Sequence, residues 1–151
     1  MTEGIRVLHF MIPGQPVPKA RPRIVFRRGR AHAMTPKRTA EAEATIRSAV
    51  AIQGGAMHHD GPVALLAQFY RHGHRPADLD NLLKLPLDAL NGLLWLDDSQ
   101  VLVLLAEKHD GQAHPRTCLM VALGAPGTTA ASLLRALPAR SIAQRSQKDD
   151  D

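Results

Sequence analysis

DLDNLLKLPLDALNGLLWLDDSQV, residues 78–101, is the stretch on which the reading of the fold turns. Its leucines recur at the three- and four-residue spacing of a helix that buries one face, and they run too long for a single strand. Pro86 lies inside that pattern and is expected to kink it, since a mid-helix proline removes a backbone donor and crowds the preceding turn. On either side stand apolar, β-rich runs, Val63 to Tyr70 before it and Val101 to Ala106 after it. Strand, helix and strand in succession predict a protein that alternates the two.

The same alternation extends outward. Ile5 to Ile12 reads as a strand ended by Pro13-Gly14, and PGQPVPKARPR after it as an extended segment. Ile24–Phe26 and Ala31–Met34 read as short strands around a basic hairpin tip. Thr35-Pro36 is expected to open a helix, Thr as N-cap and Pro at the first helical position, which Gly54-Gly55 then ends. Thr117 to Leu123 supplies a further strand. From Gly124 the chain turns small and polar, with one short helix to Leu137, so residues 1–123 are expected to form the domain and 124–151 a polar, flexible tail. At 151 residues the chain suits one domain with a hydrophobic core.

Charge is unevenly spread. Residues 1–47 carry ten bases against three acids, a net +7, while the remainder is net −2. Lys19 to Arg38 holds eight bases and no acid, whereas Asp78 to Asp98 holds five acids and only Lys84. A basic arm of this kind suits a polyanion. The single cysteine, Cys118, excludes an intramolecular disulfide framework and suits a reducing compartment. The N-terminal run is broken by Pro13 and does not read as a signal peptide. No stretch reaches the roughly 18 uninterrupted apolar residues of a membrane helix, so a cytoplasmic protein with no membrane partner is expected.

The acids point to chemistry. In an extended segment Asp78 and Asp80, two apart, project to one side. Placed just before a helix beginning at Asp80 or Asn81, Asp80 also meets the unpaired donors of the helix start, and Lys84 lies one turn on. Asp97 and Asp98 follow at the end of the leucine run. Like charges 4 Å apart repel by about 4 kcal/mol at an effective dielectric of 20, a cost that a divalent cation removes. Oxygen-only ligands suit Mg²⁺, or Mn²⁺ in its place, rather than Zn²⁺.

Each piece alone has a plainer reading: helix capping for Asp78 and Asp80, a turn for Asp97-Asp98, a solvated face for the basic run. His72, His74, His58 and His59 read as solvated loop histidines, and Trp95 as a core anchor. With aromatics at 3% of the chain, base stacking is not the main mode of nucleic-acid recognition. The combination of an acidic pocket and an acid-free basic arm favours phosphodiester chemistry.

IPGQPVPKARPR (12–23), the TP pair (35–36) followed by a helix with Glu41, and DLDNLLKLPLDALNGLLWLDDSQV (78–101) together resemble the RusA family of Holliday-junction resolvases, endodeoxyribonucleases of bacteria and their phages. The resemblance spans roughly Phe10 to Lys108, about two-thirds of the chain. It implies an α/β (α+β) fold, a mixed β-sheet flanked by helices, assembled as a symmetric homodimer with one active site on each side of a four-way DNA junction. By it, Asp78, Asp80 and Asp98 are the metal-binding carboxylates, with Asp97 beside them, and Lys84 is the essential lysine. The implied reaction is Mg²⁺-dependent hydrolysis leaving a 5′ phosphate, with paired nicks that resolve the junction in DNA recombination and repair. Lys19, Arg21, Arg23, Arg27, Arg28 and Arg30 are expected to hold the junction arms. Two rival readings stand beside it: a non-catalytic DNA-binding protein, and a Mg²⁺-dependent nuclease for other branched DNA or for RNA. Pro86, inside the helix that carries Lys84, and the chain beyond Gly124 depart from the family pattern.

Overall fold

The computed structural model describes residues 4–138. Four strands, β1 (Arg6–Pro13), β4 (Val63–Tyr70), β5 (Val101–His109) and β6 (Arg116–Leu123), form one sheet in the order β1-β6-β4-β5. β4 runs antiparallel to β6 and parallel to β5, so the sheet is mixed. The parallel pair needs a long connection, and α2 (Leu79–Leu90) lies within it. β4 is buried at every position, as its unbroken apolar sequence requires of a central strand covered on both faces.

One face of the sheet packs against α1 (Lys37–Ile52) and α2. Its core joins Phe10 and Ile12 of β1, Leu65, Ala67 and Phe69 of β4, and Leu82, Leu85 and Leu90 of α2. Each such leucine contributes about 1.5–3 kcal/mol relative to exposure. On the other face, α3 (Ala130–Ala136) buries Leu133, and Leu137 follows it, against Ala64, Leu66, Met120 and Ala122. Residues 124–138 of the stretch expected to be a polar tail therefore include a docked helix; residues 139–151 lie outside the described part. The fold is thus α+β, a mixed sheet flanked by three helices.

The hairpin β2 (Arg23–Arg27) and β3 (Arg30–Met34) stands apart as a two-stranded sheet. Its turn, Arg28-Gly29, has positive φ at both residues (51° and 72°), the primed-turn geometry that matches strand twist. The pairing Phe26↔Ala31 and Ile24↔Ala33 places these four on one face, and puts Arg23, Arg27, Arg30 and His32 on the other. Ile24 and Phe26 are 70% and 75% exposed, so this hairpin contributes no core.

Two local expectations need correction. The first helix begins at Lys37 with Pro36, not Thr35, as its capping residue, and no side chain caps it. Pro36 has an extended backbone (ψ 141°), where it has no N–H to leave unpaired. The second helix begins at Leu79, one residue earlier than expected, with Asp78 as its N-cap residue. Pro86 lies inside this helix, which continues past it to Leu90, and its burial offsets part of the roughly 3 kcal/mol that a helix-interior proline costs.

Candidate active site

Asp78 and Asp80 are delivered by the start of α2. Asp78 has an extended backbone (φ −75°, ψ 133°), its carbonyl accepts from the Leu82 N–H at 3.0 Å, and its side chain caps nothing. Asp80 lies in the first turn, where the unpaired N–H groups of the helix favour negative charge. Both carboxylates are exposed. Between them and Lys84 lies Asn81: its amide nitrogen is 3.4 Å from Asp78 Oδ2, and its Oδ1 is 3.4 Å from Lys84 Nζ. Lys84 Nζ is also 3.5 Å from Asp80 Oδ2. An exposed i,i+4 pair this long contributes at most about 0.3–0.5 kcal/mol, so the ammonium is not committed to it.

The loop that leads to Asp78 is held from several sides. The Arg71 guanidinium, 5% exposed, donates to Asp110 Oδ1 at 2.9 Å and to the Arg75 carbonyl at 2.7 Å. The Lys108 ammonium donates to the Ala77 carbonyl at 2.9 Å, immediately before Asp78. Gln15 and the His72 backbone exchange two hydrogen bonds, at 3.1 and 2.8 Å.

Opposite the acids runs the basic arm. The Lys19 N–H donates to the Asn81 carbonyl at 2.9 Å and the Ala20 N–H to Thr39 Oγ1 at 3.3 Å, so this segment is laid between α1 and α2. The result is one cavity of about 270 Å³ walled by Lys19, Ala20, Arg21 and Pro22 on the arm and by Asp78, Asp80, Asn81 and Lys84 on α2. The Lys19 ammonium itself is paired with Asp88 of α2, so part of its charge is spent inside the fold. Arg21, Arg23, Arg27, Arg28 and Arg30 are exposed, and none has an ion-pair partner among the described residues.

Asp97 and Asp98 stand at the entry to β5. Trp95, fully buried, donates its indole N–H to Asp98 Oδ1 at 2.9 Å. Asp97 caps the 3₁₀ turn Asp98–Gln100, accepting from the Ser99 N–H, and the Gln100 side chain accepts from the Asp97 N–H. The bonds from Ser99 hold the Asp97 carboxyl below the usual carboxylate range. Neither aspartate lines the Asp78–Asp80 cavity, and among the described residues no group of three His, Cys, Asp or Glu side chains converges to hold a metal ion.

The carboxylates that line this cavity, Asp78 and Asp80, offer hard oxygens of the kind that fits Mg²⁺. That ion is held by one or two carboxylates together with waters and substrate phosphates rather than by an all-protein cage. Sequence reasoning passed over Asn81, although it stands within the quoted motif, and over Arg38 and Lys108, whose positions near Asp78 depend on tertiary packing.

Residues 13–122 match the family model described as Endodeoxyribonuclease RusA. The mixed sheet carries helices on both faces, and one cavity joins an acidic helix start to a basic arm. The chain belongs to the RusA endodeoxyribonuclease family. Its family activity is therefore that of a DNA endonuclease acting in Holliday-junction resolution and recombination. No curated protein sequence matches the chain. Among the described residues, no helix is long and apolar enough to cross a membrane.

Proposed function

We propose that this chain is a Mg²⁺-dependent resolvase, with Mn²⁺ as a substitute ion, which cuts four-way DNA junctions by paired symmetric nicks. One observation carries the reading: Asp78, Asp80 and Lys84 share a single cavity with the basic arm, so a phosphodiester held by the arm lies against the acids. Asp78 and Asp80 would hold the ion, and Asp98 would join them on the family pattern. When bound, the ion supplies neutralisation of the phosphate charge and a more acidic water. The Lys84 ammonium, a compact point charge, contacts the scissile phosphate and offsets the charge that builds on it. Asn81 keeps Lys84 and Asp78 in register. Arg21, Arg23, Arg27, Arg28 and Arg30, with Lys19, hold the arms of the junction by phosphate contacts, which position DNA without reading sequence.

A homodimer with two-fold symmetry would present two such cavities to a junction that is itself two-fold, and two nicks then give two duplexes with 5′ phosphates. The protein would act in the cytoplasm of a bacterial or phage-infected cell. Incubating a four-way junction, a flap, a linear duplex and an RNA hairpin, each with and without Mg²⁺, tests the reading. Metal-dependent cleavage of the junction in preference to the others is expected. Equal cleavage of the flap or hairpin would make the protein a broader nuclease, and binding without cutting a non-catalytic junction binder.

A further inference from the structure

A second cavity, of about 590 Å³, adjoins the first and shares Lys19, Ala20, Arg21, Asp78 and Asn81 with it. Its remaining walls add Arg23 from the start of β2 and Arg38 from α1. Around this space four cations face one acid, Asp78, whereas three cations face two acids around the first. With Lys19 committed to Asp88, the first cavity is close to neutral and the second remains strongly positive.

Arg38 is the informative wall. It is the second residue of α1, and the first turn of that helix holds Lys37 and Arg38, no acid and no side-chain cap. Cations at a helix N-terminus oppose the helix dipole, so Arg38 is placed against local stability. Lys37 recovers something through Glu41 at 3.6 Å. Arg38 has no ion-pair partner among the described residues and is exposed to the cavity it lines. A side chain that lowers helix stability and pairs with nothing in the fold is suited to an anion from outside it.

We propose that this cavity is a subsite for the backbone phosphate next to the scissile one, with Arg38 contacting it alongside Arg21 and Arg23. The inference rests on the reading that the Asp78–Asp80 cavity holds the scissile phosphate. Because Asp78 walls both spaces, a strand with one phosphate at the acids passes directly into the cationic cavity. Planar guanidinium groups suit this task, since each presents paired donors to two phosphate oxygens. The subsite explains how a strand is held in line at a cavity that carries little net charge of its own.

The test uses the full-length protein and synthetic four-way junctions carrying one uncharged methylphosphonate immediately 5′ or 3′ of the cut. With wild-type protein, one of these two positions is expected to lower kcat/KM by about ten- to a hundredfold, the range for a lost charged hydrogen bond. Arg38→Ala is expected to lower kcat/KM on the all-phosphate junction by a similar factor. On the sensitive methylphosphonate junction it should have no further effect. Arg38→Lys should recover part of the loss, and the melting temperature of both variants should match or slightly exceed wild type. Losses from the variant and the methylphosphonate that multiply independently, or an Arg38→Ala protein that cleaves as wild type, would overturn the subsite. Absence of metal-dependent cleavage by wild type on every substrate would overturn the cleavage-site reading, and the subsite with it.

Discussion

The indole N–H of Trp95 donates to Oδ1 of Asp98 at 2.9 Å, tying a carboxylate of the Asp97-Asp98 pair to the buried core. Asp98 thus has a structural task, whatever it does when DNA is bound. Asp98→Asn keeps an acceptor for the indole, so stability should change by less than about 1 kcal/mol, whereas Trp95→Phe should cost about 1–3 kcal/mol through the lost charged hydrogen bond and lost packing. Urea unfolding measures both. If Asp98 also ligates the ion in the DNA complex, Asp98→Asn should lose cleavage while remaining folded.

Salt dependence reports the basic arm. Engagement of about four phosphates per protomer by Arg21, Arg23 and the hairpin arginines predicts a slope of log K against log salt near −7 for a dimer, at roughly −0.9 per contact. A slope shallower than about −2, measured by junction binding without metal, would show that the arm is not the binding surface. Because Lys19 is paired with Asp88, Lys19→Ala should alter the slope less than Arg21→Ala.

Arg71 holds the loop before Asp78 by its bonds to Asp110 and the Arg75 carbonyl, and its Nε is buried without a partner. Replacing it with Met leaves Asp110 and that carbonyl unpaired. The cost should be about 2–4 kcal/mol, toward the lower end for breaking a buried pair because Asp110 keeps some solvent. In protein that remains folded, kcat should fall more than junction affinity, since the arm is untouched.

Glu107 accepts from Gln68 Nε2 at 2.9 Å, and this bond, aided by His109, lowers its carboxyl below the ordinary glutamate range. A carboxylate depressed in the folded state adds stability that is fully present above its unfolded value and is lost as pH falls through the folded one. Wild-type stability should therefore fall with pH below the ordinary glutamate range more steeply than that of Glu107→Gln. Denaturant unfolding across mildly acidic pH compares the two; parallel curves would show that the bond contributes nothing.

Much of this fold was legible because its elements carry local signals. The apolar run Val63–Tyr70 is buried throughout, and the Ile24–Phe26 and Ala31–Met34 runs flank a basic turn as expected. The errors arose where tertiary packing outweighed local preference. Leu133 and Leu137 draw part of the expected tail onto the sheet. The same division holds at the site. Asp78, Asp80 and Lys84 were singled out in the sequence, and all three line one cavity. Spacing alone did not reveal that Lys19 is paired with Asp88, that Asp98 binds Trp95, or that Arg38 stands near Asp78 from 40 residues away.

The central claim is that the cavity joining Asp78, Asp80 and Lys84 to the basic arm is where a metal-dependent cut is made. Asp80→Asn, assayed for cleavage and binding of a four-way junction with Mg²⁺, tests it most directly. Asp80 is exposed, so the variant should fold as wild type. Cleavage should be abolished, while junction binding is retained or tightened because one charge repelling the phosphates is gone. Mg²⁺-dependent cleavage at the wild-type rate by Asp80→Asn would contradict the account.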